Sequence, residues 1–245
     1  MLKNILYDIK YVEIYSGGID LKKNIKNYTL EDLKEELKNI LCELEILFPN
    51  AGCELVYNNI FELLIAVMLS AQTTDKSVNL VTPVLFNKYP TAFDLAKAKV
   101  EDVKEIIKRL GLSSNKSKNI VAASSVLVEK YNGDVPRDLM KLMELPGVGR
   151  KTANVVMSEG FKIPRIAVDT HVERVCKRLG VVDFSATVLD VELKLMDLIE
   201  EDNWHNAHHL LLFFGRYFCL AKKPNCINCF YNKSCTYYND KNLQD

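Results

Sequence analysis

An all-α fold is predicted by three features of the sequence. Apolar residues recur every three or four positions along most of its 245 residues, the stripe a helix needs to bury one face. Strand-like alternation is nearly absent. Glycines 111, 133, 160 and 180 each follow such a stretch, where a helix C-terminus is expected.

The first helix is expected behind Thr29, where Leu30, Leu33, Leu37, Ile40, Leu44 and Leu47 form one stripe and Asp32 completes an approximate capping pair with Thr29. Further helices are expected at 59–69, 75–88, 92–98, 100–110, 116–131, 137–145, 150–160, 170–179, 187–201 and 204–218. Residues 1–28 are the exception. The stretch "ILYDIKYVEIY" is rich in β-branched and aromatic residues yet also fits a helical spacing, and "SGG" (16–18) breaks it. It reads as an N-terminal extension.

Composition excludes little on its own. Apolar residues make up 48% and charged residues 26%, and 32 bases balance 32 acids. The distribution says more. Residues 31–45 and 190–202 hold twelve of the acids and three of the bases, which leaves the other residues net basic at 29 to 20. A neutral chain can thus present a positive face to a polyanion. The longest apolar runs, such as "LLIAVML" (63–69), fall far short of the roughly 18 residues of a membrane span. The interrupted N-terminus has no secretory apolar stretch, so a cytoplasmic protein is expected.

Of the seven cysteines, Cys42, Cys53 and Cys176 are scattered and read as small buried apolar residues. The other four form the pattern Cys219-x6-Cys226-x2-Cys229-x5-Cys235. Without an export signal such a set points to metal rather than disulfides. By chemistry alone both zinc and an iron–sulfur centre fit four thiolates. Between the first two lies "LAKKPN", whose Lys222 and Lys223 sit on a loop pinned at both ends and suit phosphate contacts.

The stretch "LPGVGRKTAN" (145–154) joins two helical segments through a hairpin bare of side chains. Gly147 and Gly149 let a partner approach the backbone, and the following helix contributes unpaired N–H groups and its positive dipole end. Such a nest suits a phosphate oxygen, although a plain helix–helix turn has the same composition. Arg150 and Lys151 follow at once. A lysine in a first turn opposes the dipole, at a cost of about 0.3–1 kcal/mol. One held beside positive dipoles also loses its proton more readily, and a neutral amine is a Schiff-base nucleophile. A solvated surface lysine is the plainer alternative.

"LPGVGRKTANVV" (145–156), "VDTHVERVCKRLG" (168–180) and the C-terminal cysteines together resemble the endonuclease III family of DNA glycosylases, in the helix-hairpin-helix superfamily. "LSAQTTDKSVN" (69–79), "GLSSNKSKNI" (111–120) and "FGRYFCLAKKPNC" (214–226) extend the resemblance over nearly all of 29–238, leaving 1–28 outside it. The resemblance implies two helical lobes. A six-helix lobe over 53–163 would carry the helix-hairpin-helix (137–160), and 29–52 with 164–245 would form an iron–sulfur lobe.

It also implies roles. Lys151 would attack C1′ of a damaged nucleotide, and Asp169 would be the carboxylate of the site. Asp169 equally fits a helix N-cap, in competition with a Thr170–Glu173 capping box. Gln72 would fill the space left by an extruded nucleotide, and Leu112 would wedge the opposite strand, although core packing fits Leu112 as well. Gly147, Gly149, Arg150, Lys222 and Lys223 would contact DNA. The four cysteines would hold a [4Fe–4S] cluster. The expected partner is double-stranded DNA carrying damaged bases or abasic sites, bound by a monomer. Lys151 sets the resemblance apart from the adenine-specific glycosylases of the same superfamily, which typically lack it. A non-catalytic DNA-binding protein with a structural metal would need the hairpin and cysteines, but not Lys151 with Asp169.

Finally, His205, His208 and His209 of "HNAHH" share a helical face. No H-E-x-x-H pattern or partner carboxylate accompanies them, so they are expected as hydrogen-bonded histidines lining a helix interface.

Overall fold

The computed structural model describes residues 29–242, so the expected extension 1–28 lies outside the described residues. Every regular element among them is helical, as the apolar spacing requires. α1 (Leu30–Leu47) starts on a capping box in which Thr29 Oγ1 accepts the Asp32 N–H at 3.2 Å and Asp32 Oδ2 accepts the Thr29 N–H at 2.9 Å. α2 (Ile60–Leu69) is buried on every side from Phe61 to Leu69, the mark of a central helix.

The expected helix over 75–88 is two. α3 (Asp75–Asn79) stops and α4 (Thr82–Lys88) restarts, with Pro83 in its first turn. Proline has no N–H to give the preceding turn and its ring crowds that turn's carbonyl, so one continuous helix cannot form. α5 (Ala92–Ala96), α6 (Val100–Ile106), α7 (Ser113–Tyr131), α8 (Leu139–Met143) and α9 (Arg150–Val155) follow, then α10 (Thr170–Leu179), α11 (Val188–Leu198), α12 (Trp204–Phe213) and α13 (Thr236–Asn242). Two of the expected long helices change pitch near their ends. α9 runs on as a π-helical turn over Val156–Gly160, and α12 does so over Phe214–Phe218. Such widened turns re-aim side chains and gather at functional sites.

Two apolar cores form. One is built around α2 from α2–α9, with Leu64, Leu69, Ile107, Ile120 and Leu127 fully buried. The other brings α1, from one end of the sequence, against α10–α13 from the other, around Leu44, Val175, Leu195, Leu211 and Phe214. The acidic helix α1 thus docks on its buried Leu37–Ile40–Leu44 stripe, and its acids face water. The stripe leaves Cys42 on the outer face, exposed, and Cys53 is half-buried; only Cys176 is the buried apolar residue expected of all three. Burial pushes the Cys176 thiol up to about 12 and the Cys53 thiol to about 11. No helix among the described residues is long and apolar enough to cross a membrane.

The lobes are joined by polar contacts from one helical run. Arg150 grips Glu192 of α11 with two nitrogens, Nη2 at 2.8 Å from Oε1 and Nε at 3.0 Å from Oε2. Asn154 Nδ2 donates to the Ile166 carbonyl at 3.1 Å, and Ser158 Oγ shares a 2.9 Å hydrogen bond with His205 Nδ1. On the other side of the junction Arg216 pairs with Glu54 and with Asp75, the latter at 3.0 Å. Glu192 is only 3% exposed, so losing its guanidinium would strand a buried carboxylate. Arg150→Ala should therefore destabilise the fold by roughly 1–3 kcal/mol. Its melting temperature should fall measurably below that of the parent, and adding Glu192→Gln should restore part of the loss.

Candidate active site

The hairpin between α8 and α9 owes its shape to unequal glycines. Gly147 has φ +79°, and a Cβ there would lie 2.7 Å from the Asn119 side chain, so both backbone and packing demand glycine. Val148 between them is buried and pins the turn to the first core. Gly149 is different. Its backbone is extended and a Cβ would meet nothing within 4 Å, so the fold itself does not need a glycine there. Gly149 is the N-cap of α9 and provides no side-chain cap, so the first-turn N–H groups face open space beside it.

Lys151 lies on that first turn and is exposed. Its charge reaches the buried His208 of α12, whose imidazole is held well below its ordinary value by burial first and by neighbouring positive groups, Lys151 among them. Arg150, the residue before it, is turned away to Glu192, and that hydrogen bond raises its pKa further. Nothing local to Arg150 marks this partner, 42 positions away.

Asp169 is the N-cap of α10. Its Oδ1 accepts the N–H of His171 at 2.8 Å and of Val172 at 2.9 Å, which fixes the carboxylate and leaves Oδ2 outside the cap. The alternative Thr170–Glu173 box does not form; Glu173 pairs with Lys177 at 2.6 Å instead. Among the described residues, no ion pair within 4 Å joins Lys151 to Asp169.

Gln72 and Leu112 occupy two adjacent turns. Both are exposed and both have left-handed backbone, φ 53° and 60°, which is rare and costly for residues with side chains. Leu112 is 53% exposed, so core packing does not explain it. The Gln72 carbonyl lies 3.9 Å from a Cβ built on Gly111. Buried Lys116 of α7 binds the two turns together, Nζ donating to Thr73 Oγ1 at 2.6 Å, and burial lowers its pKa. Nothing local to Lys116 marks its reach to Thr73, 43 positions away.

Cys219, Cys226, Cys229 and Cys235 line one cavity. No three of their sulfurs lie within 4.8 Å of one another. The surroundings suit an anionic group. Buried Arg178 donates to Cys219 Sγ at 3.4 Å and to the carbonyls of Leu220 and Ala221 at 2.7 and 3.0 Å, while its guanidinium stacks on Tyr237. Arg174 holds the Gly215 and Cys219 carbonyls. Burial above all, with the neighbouring Cys235, Cys219 and Cys226 adding to it, drives the Cys229 thiol up to about 12. Lys222 and Lys223 are exposed on the loop between the first two cysteines, Lys223 with φ 52°.

The three histidines divide. His205 and His209 turn their Nε2 atoms to Glu159, at 3.8 and 2.5 Å, and His208 packs edge-on against His209. No carboxylate near them in the sequence is their partner. Glu159 supplies one from the π-helical turn of the other lobe, a position that sequence spacing alone does not disclose. Burial works against the Glu159 charge, but the hydrogen bond from His209 and nearby positive groups outweigh it and hold the carboxyl below its ordinary value.

Residues 65–201 match the family of HhH-GPD superfamily base excision DNA repair proteins. The endonuclease III of Bacillus subtilis (strain 168) is 50% identical over 195 residues, 80% of this chain and 89% of that protein. A trapped endonuclease III–DNA covalent intermediate, an estranged-adenine complex, has a TM-score of 0.82 at 50% identity and covers 85% of this chain and 98% of its own. A non-covalent endonuclease III–DNA complex gives 0.83 at 49%, covering 86% and 99%. On the family match over residues 65–201 and these likenesses over four fifths or more of its length, the chain belongs to the endonuclease III family of base-excision DNA repair proteins.

Proposed function

We propose that this chain is a bifunctional DNA glycosylase and abasic-site lyase that acts, as a monomer, on oxidised or ring-saturated pyrimidines in duplex DNA. The observation that carries the reading is Lys151, exposed on an uncapped first turn beside a hairpin whose Gly149 the fold does not require. A phosphate oxygen at those N–H groups would set the neighbouring sugar against the lysine. Nζ attacks C1′, the bond from C1′ to the base breaks, and the base leaves with its electron pair and takes a proton. The sugar ring opens to a protonated imine on Lys151. Loss of a proton from C2′ then expels the 3′-phosphate, and water releases the lysine.

Asp169 is the charge partner. Its Oδ1 is held by two backbone N–H groups, so Oδ2 has a fixed direction from which to take the amine's proton or stabilise positive charge on the sugar. Gln72 and Leu112, already in strained and exposed turns, are the side chains offered to the gap in the duplex. The four cysteines would hold a [4Fe–4S] cluster, which supports the loop that presents Lys222 and Lys223 to phosphates. Arg150 adds to the site through its position on the turn, its guanidinium being engaged by Glu192.

Incubation with an oxidised-pyrimidine duplex or abasic duplex followed by borohydride should trap a covalent adduct, and Lys151→Ala should abolish it. Duplex bound but neither trapped nor cut would overturn the lyase reading, and base release from adenine opposite oxidised guanine alone would favour an adenine-specific enzyme. Asparagine caps helices as well as aspartate does. Asp169→Asn should therefore keep the parent's melting temperature yet lose about 10²–10⁴-fold in turnover. Gly149→Ala should cost less than about 1 kcal/mol of stability. Its affinity for duplex should nonetheless drop clearly in a titration, because the new methyl group stands where the phosphate is expected.

A further inference from the structure

One cluster of metal-ligating side chains lies outside the machinery described above. Glu159, on the π-helical turn that prolongs α9, faces His205 and His209 of α12. The oxygen and the two ring nitrogens all lie within 4.8 Å of one another. Glu159 Oε1 is 2.5 Å from His209 Nε2 and 3.8 Å from His205 Nε2. His205 and His209 stand four residues apart, one helical turn, so their rings leave the same face, with centroids 4.9 Å apart.

We propose that Glu159, His205 and His209 bind one divalent transition-metal ion of the zinc class, held between the two lobes. Two imidazoles and one carboxylate form a three-ligand set that suits zinc, cobalt or nickel and leaves a fourth position for water. Magnesium and calcium, which take oxygen ligands, are selected against.

The second ring nitrogens support the assignment of ligand atoms. His205 Nδ1 is hydrogen-bonded to Ser158 Oγ at 2.9 Å, the outer contact that orients a ligating histidine and directs its Nε2 lone pair to the ion. For His209 it is Nε2 that faces the site, 2.5 Å from Glu159 Oε1, while its Nδ1 is buried without a partner. Access is also present. Glu159 and His209 are 7% and 6% exposed, but the His205 side chain is 40% exposed and forms the door. Closing on an ion requires only that Glu159 draw back slightly from His209 and that His205 move in. The ion would tie the helix that carries Lys151 to α12. It would be a fastening between lobes, and it stands apart from the chemistry at Lys151.

The test compares the intact protein with His205→Asn and Glu159→Gln, all three keeping the four cysteines and whatever those hold. After dialysis against zinc sulfate and then metal-free buffer, the parent should retain one more zinc per chain than either variant. Zinc should raise the parent's melting temperature and leave that of His205→Asn unmoved, and magnesium should change neither. Cobalt titrated into the parent should give visible d–d absorption that both variants lack. Equal zinc in all three proteins, or an equal zinc-induced rise in melting temperature, would overturn the site. Because His205 is partly exposed, its asparagine variant retains the fold. Metal content is read without DNA, so a failure of the lyase reading leaves this test untouched.

Discussion

The arrangement of this protein depends on one helical run, residues 150–160, serving two surfaces at once. Arg150, Asn154 and Ser158 recur every fourth position and so lie along one face, and each reaches the other lobe, at Glu192, Ile166 and His205. Lys151 follows Arg150 by one position, about 100° around the helix, and is left in solvent. Its direction is therefore set by the residue before it. Lys151 needs no contacts of its own, because its neighbours have already fixed the helix against α11 and α12.

The same division applies across the site. Lys151 belongs to a helix of the first core and Asp169 caps a helix of the second. Neither lobe alone contains both groups. Their relation rests on polar contacts at the junction, which are directional and fix register in a way apolar packing does not. Buried Arg178 works similarly within the second lobe. It spans from α10 to the carbonyls after Cys219 and stacks on Tyr237 of α13, so the cysteine loop is positioned by a helix far from it in sequence.

Much of the fold was legible in the sequence because it is local. The stripe from Leu30 to Leu47, the capping pair Thr29–Asp32 and the glycine-bearing hairpin each depend on residues a few positions apart. Across Pro83 the apolar spacing argues for one helix over 75–88, and the proline's missing N–H decides against that spacing. The two π-helical turns were not legible, since the apolar period barely changes where the pitch does. Long-range partners were hidden altogether. Nothing near Arg150 announces Glu192, nothing near "HNAHH" announces Glu159, and Leu112 looked like core until its left-handed turn was seen to hold it out. Cys42 misled because cysteine is buried so often. Its place off the α1 stripe was the better guide.

The second lobe joins the first described helix to the last, and this bears on how the chain comes into being. During synthesis α1 leaves the ribosome early with its Leu37–Ile40–Leu44 stripe, well before the helices that cover it among the described residues. Residues of α2–α9 follow and contain a whole core among themselves, so they can fold while the rest is still being made. α1 must wait for α10–α13, a closure across most of the chain's length that is slow because of the loop it spans. Cys219, Cys226, Cys229 and Cys235 emerge after all of α2–α9, so the loop they line is completed only after the residues of the hairpin lobe are out.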